Sequence, residues 1–357
     1  MGSFLSYKPK NHRIPMTDNQ WETLKKIVNG EATGQPVSGF IIDCPWLPAW
    51  YGISILDYFS NDDLWLKANL KAIETFPDTL FLPGFWSEYG MCTEPSAFGA
   101  RCLFPKNEFP YAHKVIHTTE DIDLLHVPDP TTDGLLPFML NRLKLAQPAM
   151  EAAGHKIRFS VSRGPLNIAT FLMGTTEFLT TMMMDPDAIH RLLRKITDFL
   201  KAWHQLQHET FPTIDGILML DDIVGFISEE DFMEFGYPYL KELYEGDDTI
   251  KFFHNDADCT ASVKYYPELG INLYNPGVQL SLTELRAETK EKLTILGNIP
   301  PRDVLASGSP DDVRAAVRAL KAEASGFSHM LYSCGGGMPP GVTTENLQAF
   351  LEELNAL

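Results

Sequence analysis

Eight short β-rich runs, helical patterns between most of them, and polar residues where the runs stop predict an α/β chain, folded as a single (β/α)8 TIM-type barrel with an N-terminal helical extension. The runs begin at Gly39, Thr79, Lys156, Gly216, Ile250, Ile271, Lys292 and His329. A doubly wound sheet is the competing arrangement, but no GxGxxG follows the first run. No repeat period and no low-complexity linker divides the chain. Residues 1–35 therefore read as an arm and helix packed on the barrel, and residues 36–357 as the barrel itself.

The elements follow in order. Thr17-Asp-Asn is an N-cap signal before a helix that runs through Trp21 to Val28. Gly39–Asp43 is the first buried strand, and it leads into an aromatic loop over Cys44–Gly52. Asn61-Asp-Asp caps a helix from Leu64 to about Phe76. Thr79–Leu82 is the second strand, followed by a second aromatic loop over Pro83–Gly90 and a proline-spotted excursion over 91–135. A helix over Leu136–Ala153 precedes the third strand, Lys156–Val161, which stops at Arg163-Gly-Pro165. Helical pattern then continues to about Glu209, punctuated by Asp185-Pro186. Gly216–Leu220 ends in Asp221 and Asp222, and Ser228-Glu-Glu-Asp opens the next helix. The last four strands are Ile250–Phe253, Ile271–Tyr274, Lys292–Leu296 and His329–Ser333, with helical stretches near 257–267, 281–289, 310–324 and 343–355.

The chain has 357 residues, 44% hydrophobic and 21% charged, in the range of globular proteins. Its net charge of −18 argues against a nucleic-acid partner, which needs a basic face. Residues 1–19 hold no apolar core of signal-peptide length, and no apolar run is long enough to cross a bilayer. The expectation is a cytoplasmic protein without a membrane partner, with the oligomeric state, a homodimer included, left open. Five cysteines, an odd number with no CxxC pair, suit a reduced compartment. P-loop, GxSxG and HExxH patterns are absent.

In a barrel the strand ends share one rim. That rim would collect Asp43, Glu88, Arg163, Asp221, Asp222, His254, Asp256, Asn275, Asn298 and Cys334. Each residue singly also reads as a helix cap or a loop hydrogen-bonder, and a buried cysteine as a small hydrophobe. Together, one imidazole, several carboxylates and one thiol suit two chemistries. His254, Asp256 and Cys334 form a ligand set for zinc, with Asp222 or Glu94 as a fourth or supporting group. Without a metal, Asp222 stabilises a cationic intermediate and organises proton transfer. Arg163 is then the rim cation for an acidic substrate. Trp46, Trp50, Tyr51, Phe85, Trp86 and Tyr89 read either as packing or as flat walls of a pocket for an aromatic ring. The glycines at 335–337 suit a close approach of backbone to a ligand; Pro339-Pro340 after them removes amides that a phosphate would need.

Gly270-Ile-Asn-Leu-Tyr-Asn-Pro-Gly277, Leu296-Gly-Asn-Ile-Pro-Pro301 with Val304, Leu305 and Gly308, and Gly335-Gly-Gly-Met-Pro-Pro-Gly-Val-Thr-Thr-Glu-Asn346 resemble the uroporphyrinogen decarboxylase superfamily. Gly164-Pro165 before a helix and Asp222 at a strand end fit as well. The resemblance spans nearly the whole chain, is most specific from about residue 250, and implies a (β/α)8 barrel with its site at the C-terminal mouth. It also implies a choice between two branches. The decarboxylases resemble one another in an Arg-Gln-Ala-Gly-Arg segment after the first strand and a Gly-His-Gly near the C-terminus. This chain has Asp43-Cys-Pro-Trp-Leu-Pro-Ala-Trp-Tyr51 and Ser333-Cys-Gly-Gly-Gly337 there. The corrinoid-dependent methyltransferase branch, O-demethylases included, uses zinc bound by His-X-Cys and a distant Cys. His254 falls on that His, Asp256 stands in place of the first Cys, and Cys334 lies close to the last.

The resemblance implies a methyltransferase that moves a methyl group between a small donor, such as a methoxylated aromatic, and a corrinoid on a separate protein. Zinc would be the Lewis acid, with His254, Asp256 and Cys334 as ligands. Asp222 and Glu94 would handle protons, and Trp46, Trp50, Tyr51, Trp86, Tyr89, Arg163 and Asn275 would line the substrate site. No Asp-X-His-X-X-Gly corrinoid motif occurs in this chain, so the corrinoid protein would be a partner. The alternatives are a carboxy-lyase acting on a porphyrinogen or a smaller acid, and a non-catalytic barrel that binds a corrinoid protein.

Overall fold

The structure is a computed structural model that describes residues 17–42 and 45–356. The expected arm over 1–16 and the expected rim residue Asp43, with Cys44, lie outside the described residues. The strands are β1 (Gly39–Ile41), β2 (Leu80–Leu82), β3 (Cys102–Leu103), β4 (Tyr111–Ala112), β5 (Phe159–Arg163), β6 (Gly216–Leu220), β7 (Ile250–Asn255), β8 (Leu273–Pro276), β9 (Thr294–Ile299) and β10 (Met330–Cys334). All except β3 and β4 are the barrel strands that the sequence predicts, each starting at or just after its expected position. β3 and β4 form a small antiparallel hairpin inside the excursion after β2.

β5 to β10 make one parallel sheet in chain order, and β1 and β2 a parallel pair. The pair joins β10 where the Tyr332 N–H donates to the Val37 carbonyl at 2.9 Å, next to a parallel bridge between Ser38 and Tyr332. The strands therefore run β2-β1-β10-β9-β8-β7-β6-β5, the succession of a TIM-type barrel. Between β2 and β5 no ladder forms among the described residues. β2 is short and runs into Pro83, which has no N–H to give. The facing edge of β5 is already occupied by side chains. Gln207 accepts the Val161 N–H at 2.9 Å and donates to the Val161 carbonyl at 3.1 Å, and the Glu94 carboxyl accepts the Arg163 N–H at 3.0 Å.

Strand alternation divides the wall into two faces. Phe159, Val161, Leu218, Leu220, Ile250, Phe252, Leu273, Leu296 and Leu331 form one core with Trp21, Leu24 and Ile27. These are the inward positions, and the helix Asp18–Val28 covers the end of the barrel where the strands begin. Thr17 and Gln20 cap that helix reciprocally, and Trp21 donates its indole N–H to Asp215 at 3.3 Å while packing edge-on against Phe159. The outward positions, among them Phe40, Met219, Phe253, Ile295 and Met330, belong to the larger core shared with the surrounding helices. Each fully buried side chain of this kind contributes roughly 1.5–3 kcal/mol through removal from water.

Two local expectations are corrected. The aromatic stretch after β1 is a helix, Trp46–Tyr51, ended by Gly52 in the left-handed region (φ 88°). The stretch near 257–267 is a 3-10 segment, Val263–Leu269, in which Pro267 removes an amide an α-helix would use. No helix among the described residues is long and apolar enough to cross a membrane.

Candidate metal centre at the barrel mouth

Above the apolar inward rows the strands turn polar. Arg163, His254, Asn275, Asn298 and Ser333 continue the inward positions of β5, β7, β8, β9 and β10. They sit in register: Arg163 opposite Leu220, Leu220 opposite His254, His254 opposite Asn275, and Asn298 opposite Ser333.

His254 is buried, and its Nδ1 lies 2.8 Å from Asn275 Oδ1. Asn275 Nδ2 donates to the Leu296 carbonyl at 2.7 Å, which fixes the amide with its oxygen toward the imidazole. An amide oxygen only accepts, so Nδ1 carries a proton, which leaves Nε2 as the nitrogen that can offer a lone pair. That Nε2 stands 3.8 Å from Asp222 Oδ1, which in turn accepts the Asp256 N–H at 3.2 Å. Asp222, His254 and Asp256 each place one ligand atom within 4.8 Å of the others. The Asp256 turn is pressed close by its neighbours: a Cβ at Gly277 would fall 2.2 Å from the Asp256 carbonyl oxygen. Desolvation pushes the Asp256 carboxyl above the usual range, with His254 opposing, Asp222 adding and Arg302 opposing.

The trio opens into a cavity of about 830 Å³, whose lining includes Trp86, Arg163 and Arg302 and an apolar wall of Met91, Phe109, Phe171 and Met338. That is a volume suited to a small molecule. The donor set fits a divalent cation: an imidazole nitrogen oriented by an amide behind it, and two carboxylates beside it, with the cavity side open.

The expected sulfur ligand does not belong to this centre. Cys334 is fully buried in the outer core with Met330, and its Sγ lies 3.8 Å from the Gly336 carbonyl. β10 alternates, so Leu331 and Ser333 face inward while Met330 and Cys334 face the helix layer. Burial pushes the Cys334 thiol up to about 12, which makes it a protonated packing group. Asp222, not Cys334, stands with His254 and Asp256 in the candidate ligand group.

The aromatic residues also separate. Trp86 lines the cavity, and Arg163 stacks over its ring at 5.6 Å. Trp46, Trp50, Tyr51 and Tyr89 are not part of its lining. Trp46 donates to the Val342 carbonyl and stacks on Trp50 at 5.1 Å, and Trp50 donates to Thr344. The helical turn over Trp46–Tyr51 carries both indoles, with Tyr51, into the helix layer. Tyr89 lies under the Arg142 guanidinium at 4.8 Å.

Asn275 orients His254 and does not line the cavity. Asp221 is fully buried, and its two carboxylate oxygens accept the Leu166 and Asn167 amides at the start of the helix Pro165–Met173. Glu94 is buried behind Arg163 rather than in the cavity. Arg302 was not singled out by the sequence, although it directly follows the Pro300-Pro301 motif.

Residues 49–357 match the family model described as Uroporphyrinogen decarboxylase (URO-D). A uroporphyrinogen decarboxylase of Chlorobium limicola is 27% identical over 67% of this chain and 69% of its own length. The enzyme of Alcanivorax borkumensis is 25% identical over 84% of this chain and 85% of its own. Among solved structures, a methyltransferase from Methanosarcina mazei superposes with a TM-score of 0.78 at 17% identity, covering 93% of this chain and 96% of that one. That likeness is one of fold.

Proposed function

The chain belongs to the uroporphyrinogen decarboxylase family, an enzyme family on an α/β barrel, and from that premise we propose that it is a methyltransferase moving a methyl group between a small donor and a corrinoid carried by a separate protein. The observation that carries this reading is the Asp222–His254–Asp256 group on the wall of the mouth cavity. Asp222, His254 and Asp256 would hold a zinc ion, which supplies Lewis acidity to the heteroatom that gives up or accepts the methyl group.

The chain's own residues do the remaining work. Asn275 holds the His254 ring so that Nε2 faces the carboxylates. Trp86, Phe109 and Phe171 give the donor an apolar wall, which suits a methoxylated aromatic ring. Asp222 and Asp256 are the acceptors nearest the reacting end. The open mouth is the face to which a corrinoid protein would dock.

The test is metal analysis paired with turnover. Purified protein should carry about one zinc per chain, lost in His254→Ala, and should demethylate a methylated donor only when a corrinoid protein is added. Metal-free wild type that still transfers methyl groups would end the Lewis-acid role.

A carboxy-lyase is the second reading, favoured by the decarboxylase relatives and by Asp222 at a strand end. Release of CO2 from uroporphyrinogen, insensitive to chelators, would establish it instead.

A further inference from the structure

Behind Arg163, in the seam between β2 and β5, lies a second polar site that the metal chemistry does not use. Ser87 Oγ, Glu88 Oε1 and Glu94 Oε2 are buried without a hydrogen-bond partner. The three residues are 0%, 6% and 3% exposed. All three line one internal void of about 10 Å³, together with Ser162. Unpartnered buried polar atoms are expensive, and three around a void near the volume of a single water mark a place for one.

Charge counting constrains the site further. Glu88 Oε2 pairs with the Arg163 guanidinium at 2.7 Å, and Glu94 Oε1 accepts the Arg163 N–H at 3.0 Å. Among the described residues, Arg163 lowers the Glu94 carboxyl and Glu88 raises it. Two ionised carboxyls against one guanidinium would leave an uncompensated buried charge, which a proton removes. Glu94, whose Oε1 accepts only a neutral main-chain amide and whose Oε2 has no partner, is the better seat for that proton. Burial acts on the Glu94 carboxyl in the same direction, raising it against the pull of Arg163.

The void also has a connection outward. Ser162 Oγ is 2.8 Å from His204 Nε2, His204 Nδ1 is 2.9 Å from Ser160 Oγ, and Ser160 Oγ is 3.4 Å from His208 Nε2. His208 is 35% exposed and sits 3.4 Å from Asp248. Burial depresses His204 to about 3, so its ring is neutral, and a neutral imidazole between two hydroxyls passes a proton by exchanging tautomers.

We propose that this void binds one water, that Glu94 holds a single proton beside it, and that the Ser162–His204–Ser160–His208 chain exchanges that proton with solvent. The store sits directly behind Arg163, which lines the mouth cavity, and its route reaches the surface through the helix layer. A protein docked over the mouth would leave that route open.

Infrared spectroscopy of the purified full chain at neutral pH tests it. Wild type should show an unionised-acid carbonyl band that shifts in D2O and is lost in Glu94→Gln. Superimposable spectra of the two proteins would overturn the Glu94 proton. Ser162→Ala should slow the D2O shift, and an unchanged rate would overturn the relay. A high-resolution crystal structure of wild type needs no variant: solvent density within hydrogen-bond distance of Ser87 Oγ and both carboxyls supports the site, and a dry void refutes it.

Discussion

β7 and β10 each end in a side chain that could bind a metal, yet they present it to opposite sides of the same wall. His254 follows Ile250 and Phe252 on the inward face and meets Asp222 and Asp256 in the mouth. Cys334 follows Met330 on the outward face and is packed into the helix layer. One position along a strand separates a candidate ligand from a filler, because successive side chains alternate. The amide behind His254 completes the contrast: Asn275 gives the imidazole one tautomer, whereas the Cys334 sulfur lies 3.8 Å from the Gly336 carbonyl inside the helix layer.

The comparison is sharpest at His254. His254→Ala should reduce metal content to background and abolish methyl transfer, while far-ultraviolet circular dichroism stays that of the wild type. Asn275→Ala comes next. It frees the ring to rotate or change tautomer, and metal titration should show affinity falling by roughly 10–100-fold.

Asp256→Asn tests the carboxyl side through pH. The folded-state pKa of Asp256 is raised, so the folded state binds its proton more tightly than the unfolded chain does. Its contribution to stability is therefore present below the unfolded value and is lost as pH rises through the folded value. Metal-free Asp256→Asn should melt above metal-free wild type at neutral pH, with the gap closing as pH falls to the ordinary carboxylate range. In the metal-loaded enzyme the same raised pKa makes metal compete with a proton, so wild-type affinity should rise with pH through that value.

Cys334→Ala has the smallest effect. Metal content and turnover should be unchanged, at a cost of about 1 kcal/mol in chemical denaturation. Metal loss in this variant alone would reverse the assignment of the two strands. The native thiol should also resist alkylation, since burial keeps it protonated.

The strands were legible because their apolar runs are bounded by polar residues and glycine, and the rim was legible because those runs stop at His254, Asn275 and Asp222. The facing of Cys334 was not. A parallel strand buried on both sides reads as a near-continuous apolar run, and Met330-Leu331-Tyr332-Ser333-Cys334 shows no clean alternation to assign a face. The aromatic stretch was misread for a related reason. Pro45, Pro48 and Gly52 look like loop punctuation, yet prolines are tolerated in a first helical turn and glycine ends one. Asp221 and Asp222 end the same run, and the sequence already favours Asp222 for the chemistry. The fold puts Asp221 under the start of the helix Pro165–Met173 and Asp222 at the mouth.

The seam between β2 and β5 has a consequence for how the molecule behaves in a crowd. An unpaired strand edge ordinarily invites a stranger's backbone to add itself on. Here the Gln207 amide and the Glu94 carboxyl already answer the Val161 and Arg163 main-chain groups. The gap in the cylinder is thus filled from within, and Gln207→Ala should leave the buried Val161 main-chain groups without partners, read as a lower midpoint in chemical denaturation.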